Sequence, residues 1–352
     1  MDYIAEFRDG RLCSSIAEEI GKECNRDMRI MEVCGTHTMS IHRYGIKSML
    51  PKGIKLLSGP GCPVCVTSSR DINGMIACSK LEGTIIATFG DMLRVPGSLS
   101  SLEKERARGA EVRVVYSPMD AVQLAENTDK RVIFLGVGFE TTAPTVAQAI
   151  KEAPENFFVY SAHKVVPPAL RVLLEGDNRI DGFLLPGHVC TVTGTEGYEF
   201  VPREYKVPCV VSGFEPVDIL ASILMLVRQE GKAEVEIEYK RSVRREGNPK
   251  AIKVMREVFE TCDSVWRGIG AIKNSGLRIR EEFRDRDIRD MVEVPETREP
   301  EGCRCGEVLQ GLIEPTECAL FSNGCTPDEP VGPCMVSSEG TCAAYYKYGG
   351  YS

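Results

Sequence analysis

The sequence predicts an α/β protein in which two domains with parallel sheets face each other across a cleft, followed by a third domain of mixed structure. Three observations lead to this prediction. Apolar, often β-branched runs recur every ~20–30 residues between residues 54 and 211, with helix-like segments between them. Glycine, proline, histidine and cysteine gather directly after these runs. Six of the 15 cysteines lie between residues 303 and 342, where this alternation has ended.

Composition and charge limit the classes of function. The 352 residues suffice for two or three domains, and 43% apolar with 27% charged residues is typical of a soluble globular protein. A net charge of −8 argues against a broad phosphate-binding face, so we expect no nucleic acid partner. No apolar run approaches the ~20 residues of a membrane helix, and the acidic start Met1–Glu6 does not resemble a signal peptide. We therefore expect a cytoplasmic protein with no membrane contact, whose cysteines serve metal binding or redox chemistry.

The N-terminal segment, residues 1–50, is predicted to be mostly helical up to about residue 30. A short apolar run from Ile30 then leads into Cys34-Gly-Thr-His37. Cys34 and His37 are spaced like a thiolate with its proton partner, or like two metal ligands. The alternative is a strand end with a capping threonine and an ordinary histidine.

Seven apolar runs predict the strands of two α/β domains, and a slight break near residues 126–130 divides them. The first domain is expected at residues 51–128 and the second at residues 129–230. The strands are predicted at 54–57, 84–89, 112–116, 131–137, 157–160, 180–185 and 207–211. Helices between them are predicted at 98–108, 118–126, 143–153 and 167–174.

Chemistry-bearing residues follow the strands, where open α/β sheets bind their ligands. The stretch Gly59–Cys65 carries Cys62 and Cys65 as a Cys-Pro-Val-Cys pair behind a Gly-Pro-Gly turn. Such a pair can close a disulfide or bind one metal ion, and its proline and glycine residues favour a rigid, exposed loop. Two buried structural cysteines are the alternative. Glu140 and His188 follow later strands and are expected at the same edge.

The third domain, residues 231–352, is predicted to contain a helix at 250–262, a solvated charged stretch at 278–291 and a metal site. Four late cysteines, separated by seven, nine and eight residues, each lie in a loop with glycine or proline nearby. This pattern suggests one closed site made by Cys318, Cys325, Cys334 and Cys342. Zinc and a [4Fe-4S] cluster both accept four thiolates, and the absence of paired Cys-x-x-Cys knuckles favours the cluster. The pair Cys303 and Cys305 then remains as candidate redox thiols.

Taken together, these motifs resemble the HypD family of hydrogenase maturation factors over nearly the whole chain. The motifs that carry the resemblance are Cys34-Gly-Thr-His37, Gly59-Pro-Gly-Cys-Pro-Val-Cys65, Gly138-Phe-Glu-Thr-Thr-Ala-Pro144, Pro186-Gly-His-Val189 and the late cysteines. The resemblance implies a role in building the Fe(CN)2CO group of [NiFe]-hydrogenases. It also implies a HypC-type chaperone and a HypE-type cyanide donor as partners, and a [4Fe-4S] cluster on the four late cysteines.

The site residues receive their expected roles from this resemblance and from thiolate chemistry. Cys34 is expected to anchor the transient Fe(CN)2CO iron together with a cysteine of HypC. Cys62 and Cys65 are expected to be further iron ligands, or a dithiol that supplies electrons during cyanide transfer. Candidates for hydrogen bonds to the cyanide nitrogens, or for proton delivery, are His37, Glu140 and His188.

The chain is thus expected to be a redox-active assembly scaffold rather than an ordinary turnover enzyme. One alternative is an iron-sulfur protein-disulfide reductase of the ferredoxin-thioredoxin reductase type, which would use the same thiol pairs. Another is an interaction scaffold whose cleft cysteines have no chemical role.

Overall fold

The computed structural model describes residues 5–176 and 178–349 and confirms the predicted α/β class. It contains two parallel sheets, one antiparallel hairpin and a C-terminal segment rich in short helices. The strands are β1 (Met28–Glu32), β2 (Ile54–Ser58), β3 (Thr84–Thr88), β4 (Glu111–Val114), β5 (Arg131–Gly136), β6 (Phe157–Ser161), β7 (Gly182–Pro186), β8 (Cys209–Ser212), β9 (Val235–Ile237), β10 (Phe259–Trp266) and β11 (Gly270–Ile279).

Helices connect most of these strands. The α-helices are α1 (Gly10–Glu23), α2 (Gly35–Arg43), α3 (Ile46–Met49), α4 (Pro63–Val66), α5 (Ser69–Cys78), α6 (Leu102–Ala107), α7 (Pro118–Glu126), α8 (Ala143–Glu152), α9 (Val166–Glu175), α10 (Gly187–Thr193), α11 (Pro216–Arg228), α12 (Pro249–Val258), α13 (Cys305–Leu309) and α14 (Thr341–Tyr348). Within the described ranges, no helix has the length and apolarity needed to cross a bilayer.

The two parallel sheets do not follow each other along the chain. The first has the order β2-β1-β7-β8-β9, and the second has the order β4-β3-β5-β6. The chain therefore leaves the first sheet after β2, builds the whole second sheet, and returns at β7. The predicted boundary at 50/51 separates the paired strands β1 and β2, and the boundary at 128/129 falls inside the second sheet. Apolar periodicity shows where a strand is buried but not which strand lies beside it, so sheet membership differs from the predicted division.

Two stretches have a secondary structure that was not predicted. The helix expected at 250–262 ends at Val258, and the chain continues directly as β10, which pairs antiparallel with β11. The first residues of the charged stretch at 278–291 belong to β11, and only the rest forms short surface helices. Partly buried and exposed residues alternate between the two buried ends of β10, which is the pattern of a strand with one side in solvent, so the helix prediction extended too far into this strand.

The β10–β11 hairpin packs into the same core as both parallel sheets. The largest hydrophobic cluster combines Leu57 of the first sheet, Ile133 of the second, Trp266 of the hairpin and Leu309 of α13. Trp266 is fully buried, and a β-bridge joins it to Thr67 just after α4. The C-terminal segment is therefore held against both sheets rather than attached as a separate body.

Candidate functional site

The loop after β1 and the loop after β2 are locked together at the carboxyl edge of the first sheet. Gly59 N–H donates to the Glu32 carbonyl at 2.8 Å, and Gly35 N–H donates to the Gly61 carbonyl at 3.0 Å. A Cβ atom at position 61 would lie 2.2 Å from the backbone nitrogen of Cys34, so only glycine allows this approach. The structure therefore brings the Cys34 motif directly against the loop that carries Cys62 and Cys65, as the prediction of a shared sulfur site requires.

Cys34 stands at the N-terminus of α2 in an apolar and acidic environment. Its extended backbone (φ −148°, ψ 124°) ends β1 and starts the helix, and its N–H donates to Glu32 Oε2 at 3.0 Å. Glu339 lies against Gly35 and accepts a 2.7 Å bond from the Thr36 hydroxyl. Burial, followed by the charge of Glu339, raises the pKa of the Cys34 thiol to about 12. The thiol is thus neutral at pH 7 until a cation replaces its proton.

Cys62 caps the N-terminus of the short helix α4, Pro63 is the first residue of that helix, and Cys65 lies within it. Cys65 N–H donates to Cys62 Sγ at 3.3 Å, so the first thiol caps the turn that contains the second. Both side chains are buried, with 3% and 0% exposure, so the expectation of an exposed loop is wrong. The reason is that the β10–β11 hairpin covers this loop, since Arg267 N–H donates to the Val66 carbonyl at 2.9 Å.

Two histidines share one aromatic partner beside this site. The rings of His37 and His188 each stack on the ring of Phe214, with ring-centroid distances of 4.8 Å and 3.9 Å, respectively. His37 Nε2 donates to the Gly213 carbonyl at 2.9 Å, which leaves its buried Nδ1 without a partner in the described chain. Burial lowers the pKa of His37 to about 4 and also lowers the pKa of His188. Both rings are therefore neutral near pH 7. No pattern in the sequence indicated Phe214 as their shared partner.

Glu140 enters the same region from the second sheet. It follows β5, and its Oε1 accepts a 3.0 Å bond from Val166 N–H at the start of α9, whereas its buried Oε2 has no partner in the described chain. Burial raises its pKa to about 7. Burial, together with Cys190, Glu140 and Cys34, also raises the pKa of Tyr198 well above its usual range. These four groups thus lie in one electrostatic environment, and no sequence pattern pointed to Tyr198.

The late cysteines line a single pocket of about 340 Å³, including its mouth. The cysteines that line it are Cys303, Cys305, Cys318, Cys325, Cys334 and Cys342. Cys305 Sγ and Cys334 Sγ lie 2.6 Å apart, although the two residues are 29 positions apart in sequence. Both are also more deeply buried than Cys303, Cys318 and Cys342.

Sulfur contacts continue from this pocket to the Cys62 loop. Cys65 interacts with Cys334, Cys334 with Cys305, and Cys305 with Cys303. Burial raises the pKa of Cys65 well above its usual range. The first sheet's thiol pair and the C-terminal pocket are therefore joined by an unbroken row of thiols.

The donor set of the pocket is of a kind that a [4Fe-4S] cluster accepts, because six cysteine sulfurs line it and the cluster takes four thiolates. In residues 5–176 and 178–349, no three His, Cys, Asp or Glu side chains are placed to hold one metal ion. A [4Fe-4S] cluster holds its four thiolates farther apart than a single ion does. Val331 N–H also donates to Cys325 Sγ at 3.4 Å, a bond of the kind that supports cluster ligands.

Known proteins match the chain over nearly its full length. The model of the family described as HypD, hydrogenase formation hypA family, matches residues 11–349. The hydrogenase maturation factor HypD of Azotobacter vinelandii is 46% identical over 368 aligned positions, covering 99% of this chain and 97% of that protein. HypD of Rhodobacter capsulatus is 44% identical, covering 99% of each chain. A putative hydrogenase expression/formation protein of Methanocaldococcus jannaschii is 44% identical, covering 95% of this chain and 94% of that protein.

Proposed function

The chain belongs to the HypD family, and on that premise we propose that it is a hydrogenase maturation factor that holds the iron of an Fe(CN)2CO group while cyanide is added. One observation carries the proposal. The Cys34 motif and the Cys62/Cys65 loop are fixed together by the Gly61 contact and two backbone hydrogen bonds. Soft, anionic thiolates are the ligands that a cyanide- and carbonyl-bearing iron(II) substrate requires.

Cys34 is the proposed anchor of this iron. Its thiol is half-buried at the start of α2, where the amides of Thr36 and His37 favour the thiolate against burial and the Glu339 charge. Iron replaces the thiol proton, so binding releases a proton and supplies the charge that the buried sulfur lacks. A cysteine from a HypC-type chaperone completes the ligand set in this proposal.

Cys62 and Cys65 are proposed to supply the electrons for cyanide transfer. A HypE-type donor carries cyanide as a thiocyanate, R–S–C≡N, whose S–C bond must break. Two thiols provide two electrons and two protons: R–S–CN and the two thiols give R–SH, HCN and one disulfide between Cys62 and Cys65. HCN then binds iron as cyanide and releases its proton. The helical turn places Cys65 N–H on Cys62 Sγ and lets the two thiols interact with each other, as a disulfide between them requires.

The row of thiols suggests how the pair is reduced again. We propose that Cys305 and Cys334 exchange with the Cys62/Cys65 pair, because Cys334 contacts both Cys65 and Cys305. A [4Fe-4S] cluster bound in the pocket would pass on single electrons from an external one-electron donor protein, and two such electrons with two protons would return the Cys305–Cys334 disulfide to two thiols. The proposed cluster ligands are Cys303, Cys318, Cys325 and Cys342. This set differs from the sequence-based assignment, which included Cys334 and paired Cys303 with Cys305, because the 2.6 Å contact makes Cys305 and Cys334 the better redox pair.

Neutral side chains around the iron site suit cyanide ligands. His188 is exposed and held flat on Phe214, so its ring can donate to a cyanide nitrogen. Glu140, with a pKa of about 7, can hold or release the proton of HCN at physiological pH. His37 donates to Gly213 and thereby fixes the loop that carries Phe214.

Infrared spectroscopy of the chain isolated anaerobically with its HypC-type partner tests the proposal. Cys34→Ala should abolish the cyanide and carbonyl bands, whereas Cys262→Ala, which changes a half-buried cysteine on the hairpin, should retain them. Retained bands in Cys34→Ala would exclude the anchoring role. Iron and acid-labile sulfide are measured on the same samples, and stoichiometric zinc without sulfide would exclude the cluster.

A further inference from the structure

Arg267 lies between the two sulfur sites. It follows β10, and its N–H donates to the Val66 carbonyl at 2.9 Å, one residue beyond Cys65. The next residue, Gly268, packs on the residue after Cys305, since a Cβ atom at position 268 would lie 2.2 Å from the Gly306 Cα. The hairpin turn therefore contacts both the Cys62/Cys65 loop and the start of α13.

The Arg267 guanidinium is buried and incompletely paired. Its side chain is 5% exposed, and Nε donates to Glu299 Oε2 at 3.0 Å. Nη1 is buried and makes no hydrogen bond within the described residues. A buried guanidinium N–H without an acceptor is strongly unfavourable, so this atom needs a hydrogen-bond acceptor.

The charge of Arg267 acts on Cys303. Contact with Cys305 and burial raise the pKa of the Cys303 thiol, and Arg267 is the positive charge that opposes this increase. The Glu299 side chain is 61% exposed, so water screens its negative charge more than it screens the buried guanidinium. The net field of the ion pair at Cys303 is therefore positive.

A second arginine beside the pocket differs in its partners. Arg304 lines the pocket, but its Nε and Nη2 pair with Glu307, and its Nη1 donates to the Glu317 carbonyl at 3.2 Å. It is also 42% exposed. Of the two guanidinium groups, only Arg267 combines burial with a nitrogen that lacks an acceptor.

We propose that Arg267 tunes the cluster through one of its ligands: its Nη1–H donates to Cys303 Sγ, and its charge raises the reduction potential. This inference rests on the proposed function, because it requires a cluster in the pocket. One-electron reduction adds one negative charge, and a fixed positive charge without competing water favours the reduced form. The hairpin that covers Cys65 would then also set the reduction potential at which the cluster gives up an electron.

Redox titration of the anaerobically purified full chain, followed by electron paramagnetic resonance, tests the charge. Arg267→Gln should lower the equilibrium constant for one-electron reduction at least tenfold, a shift of 59 mV toward lower potential. Arg298→Gln removes the same charge from a side chain that is 77% exposed, and should change this constant less than twofold. Arg267→Lys keeps the charge and should stay close to the unaltered chain. A cluster-loaded Arg267→Gln chain that titrates like the unaltered chain would overturn the inference.

Pulsed paramagnetic resonance with 15N-labelled arginine tests the contact without relying on a variant. The reduced cluster of the unaltered chain should show a 15N coupling, which Arg304→Gln should retain and Arg267→Lys should remove. A loaded, labelled chain without the coupling would overturn the contact even if Arg267→Gln failed to fold. An unaltered chain that contains no iron and no labile sulfide contradicts the proposed function instead, so the two failures are distinct.

Discussion

Gly61→Ala is expected to separate the two halves of the iron site. The new methyl group would lie 2.2 Å from Cys34 N and 2.4 Å from Cys34 Cα, and neither backbone atom can rotate away as a side chain would. Overpacking against rigid neighbours costs roughly 1–3 kcal/mol. The bond from Gly35 N–H to the Gly61 carbonyl is strained by the same shift, and its loss would add about 0.5–1.5 kcal/mol. We therefore expect a destabilisation of about 1.5–4.5 kcal/mol.

Urea unfolding of the metal-free chain measures this loss, and the infrared spectrum with the HypC-type partner measures its effect on the iron. Gly21→Ala is the matched control. Gly21 lies inside α1 with open space around it, so alanine there should stabilise the chain by about 0.5–1 kcal/mol. Both substitutions add one methyl group, but Gly61→Ala is expected to lower the free energy of unfolding and Gly21→Ala is expected to raise it. Equal stabilities of Gly61→Ala and the unaltered chain, with intact cyanide and carbonyl bands, would refute the idea that this contact holds the site together.

Three further predictions concern the thiols, the buried acid and the histidine stack. Cys334→Ser should keep iron and acid-labile sulfide, because the proposed cluster ligands exclude Cys334; loss of the cluster in this variant, measured by chemical analysis, would restore the assignment made from spacing. Burial raises the pKa of Glu32 to about 8, so between about pH 4.5 and pH 8 the folded chain binds the extra proton and stability falls as the pH rises. Glu32→Gln should reduce this slope in urea titrations by up to about 1.4 kcal/mol per pH unit, and an unchanged slope would show that Glu32 ionises normally. Phe214→Leu should uncover the ring face of His188 that now stacks on Phe214 and raise the His188 pKa toward about 6.5, measured by NMR titration, since loss of water from the ring is what lowers it; an unchanged pKa would mean that the stack does not keep water from the ring.

The sequence predicts the positions of the strands and helices better than it predicts which strands lie side by side. The run at 131–137 and the helix at 118–126 match β5 and α7 almost residue for residue, because burial and helix caps leave local patterns. Nothing local indicates that β7 returns to lie beside β1. Strand pairing depends on which apolar faces cover each other, and the β-branched runs of the two sheets are alike in sequence.

The same limit applies to the site. Cys62 and Cys65 can be identified from their spacing, because a Cys-x-x-Cys motif lies within four consecutive residues and indicates a redox or metal site by itself. The contact between Cys305 and Cys334 joins residues 29 positions apart, and the nearer partner Cys303 is the natural choice when only spacing is known. Arg267 lies beyond the helix predicted at 250–262, in a stretch for which the sequence predicts no element, so its burial emerges only once the hairpin is seen to insert between two loops.

Burial of the thiols gives the site a specific kind of control. At pH 7 a thiol with a pKa of about 12, such as Cys34, is almost entirely protonated and a poor nucleophile, and Cys65 is shifted in the same direction. Exposed thiolates would be oxidised or would bind other metals. These buried thiols lose their protons and become ligands only when a bound cation offsets the unfavourable burial of the thiolate charge. Partner docking that excludes water would raise the thiol pKa further without the iron substrate and strengthen the thiolate–iron bonds with it. The charge of Glu339 acts in the same direction as burial, because it opposes a free Cys34 thiolate and so keeps the empty site in its thiol form until iron takes the place of the proton.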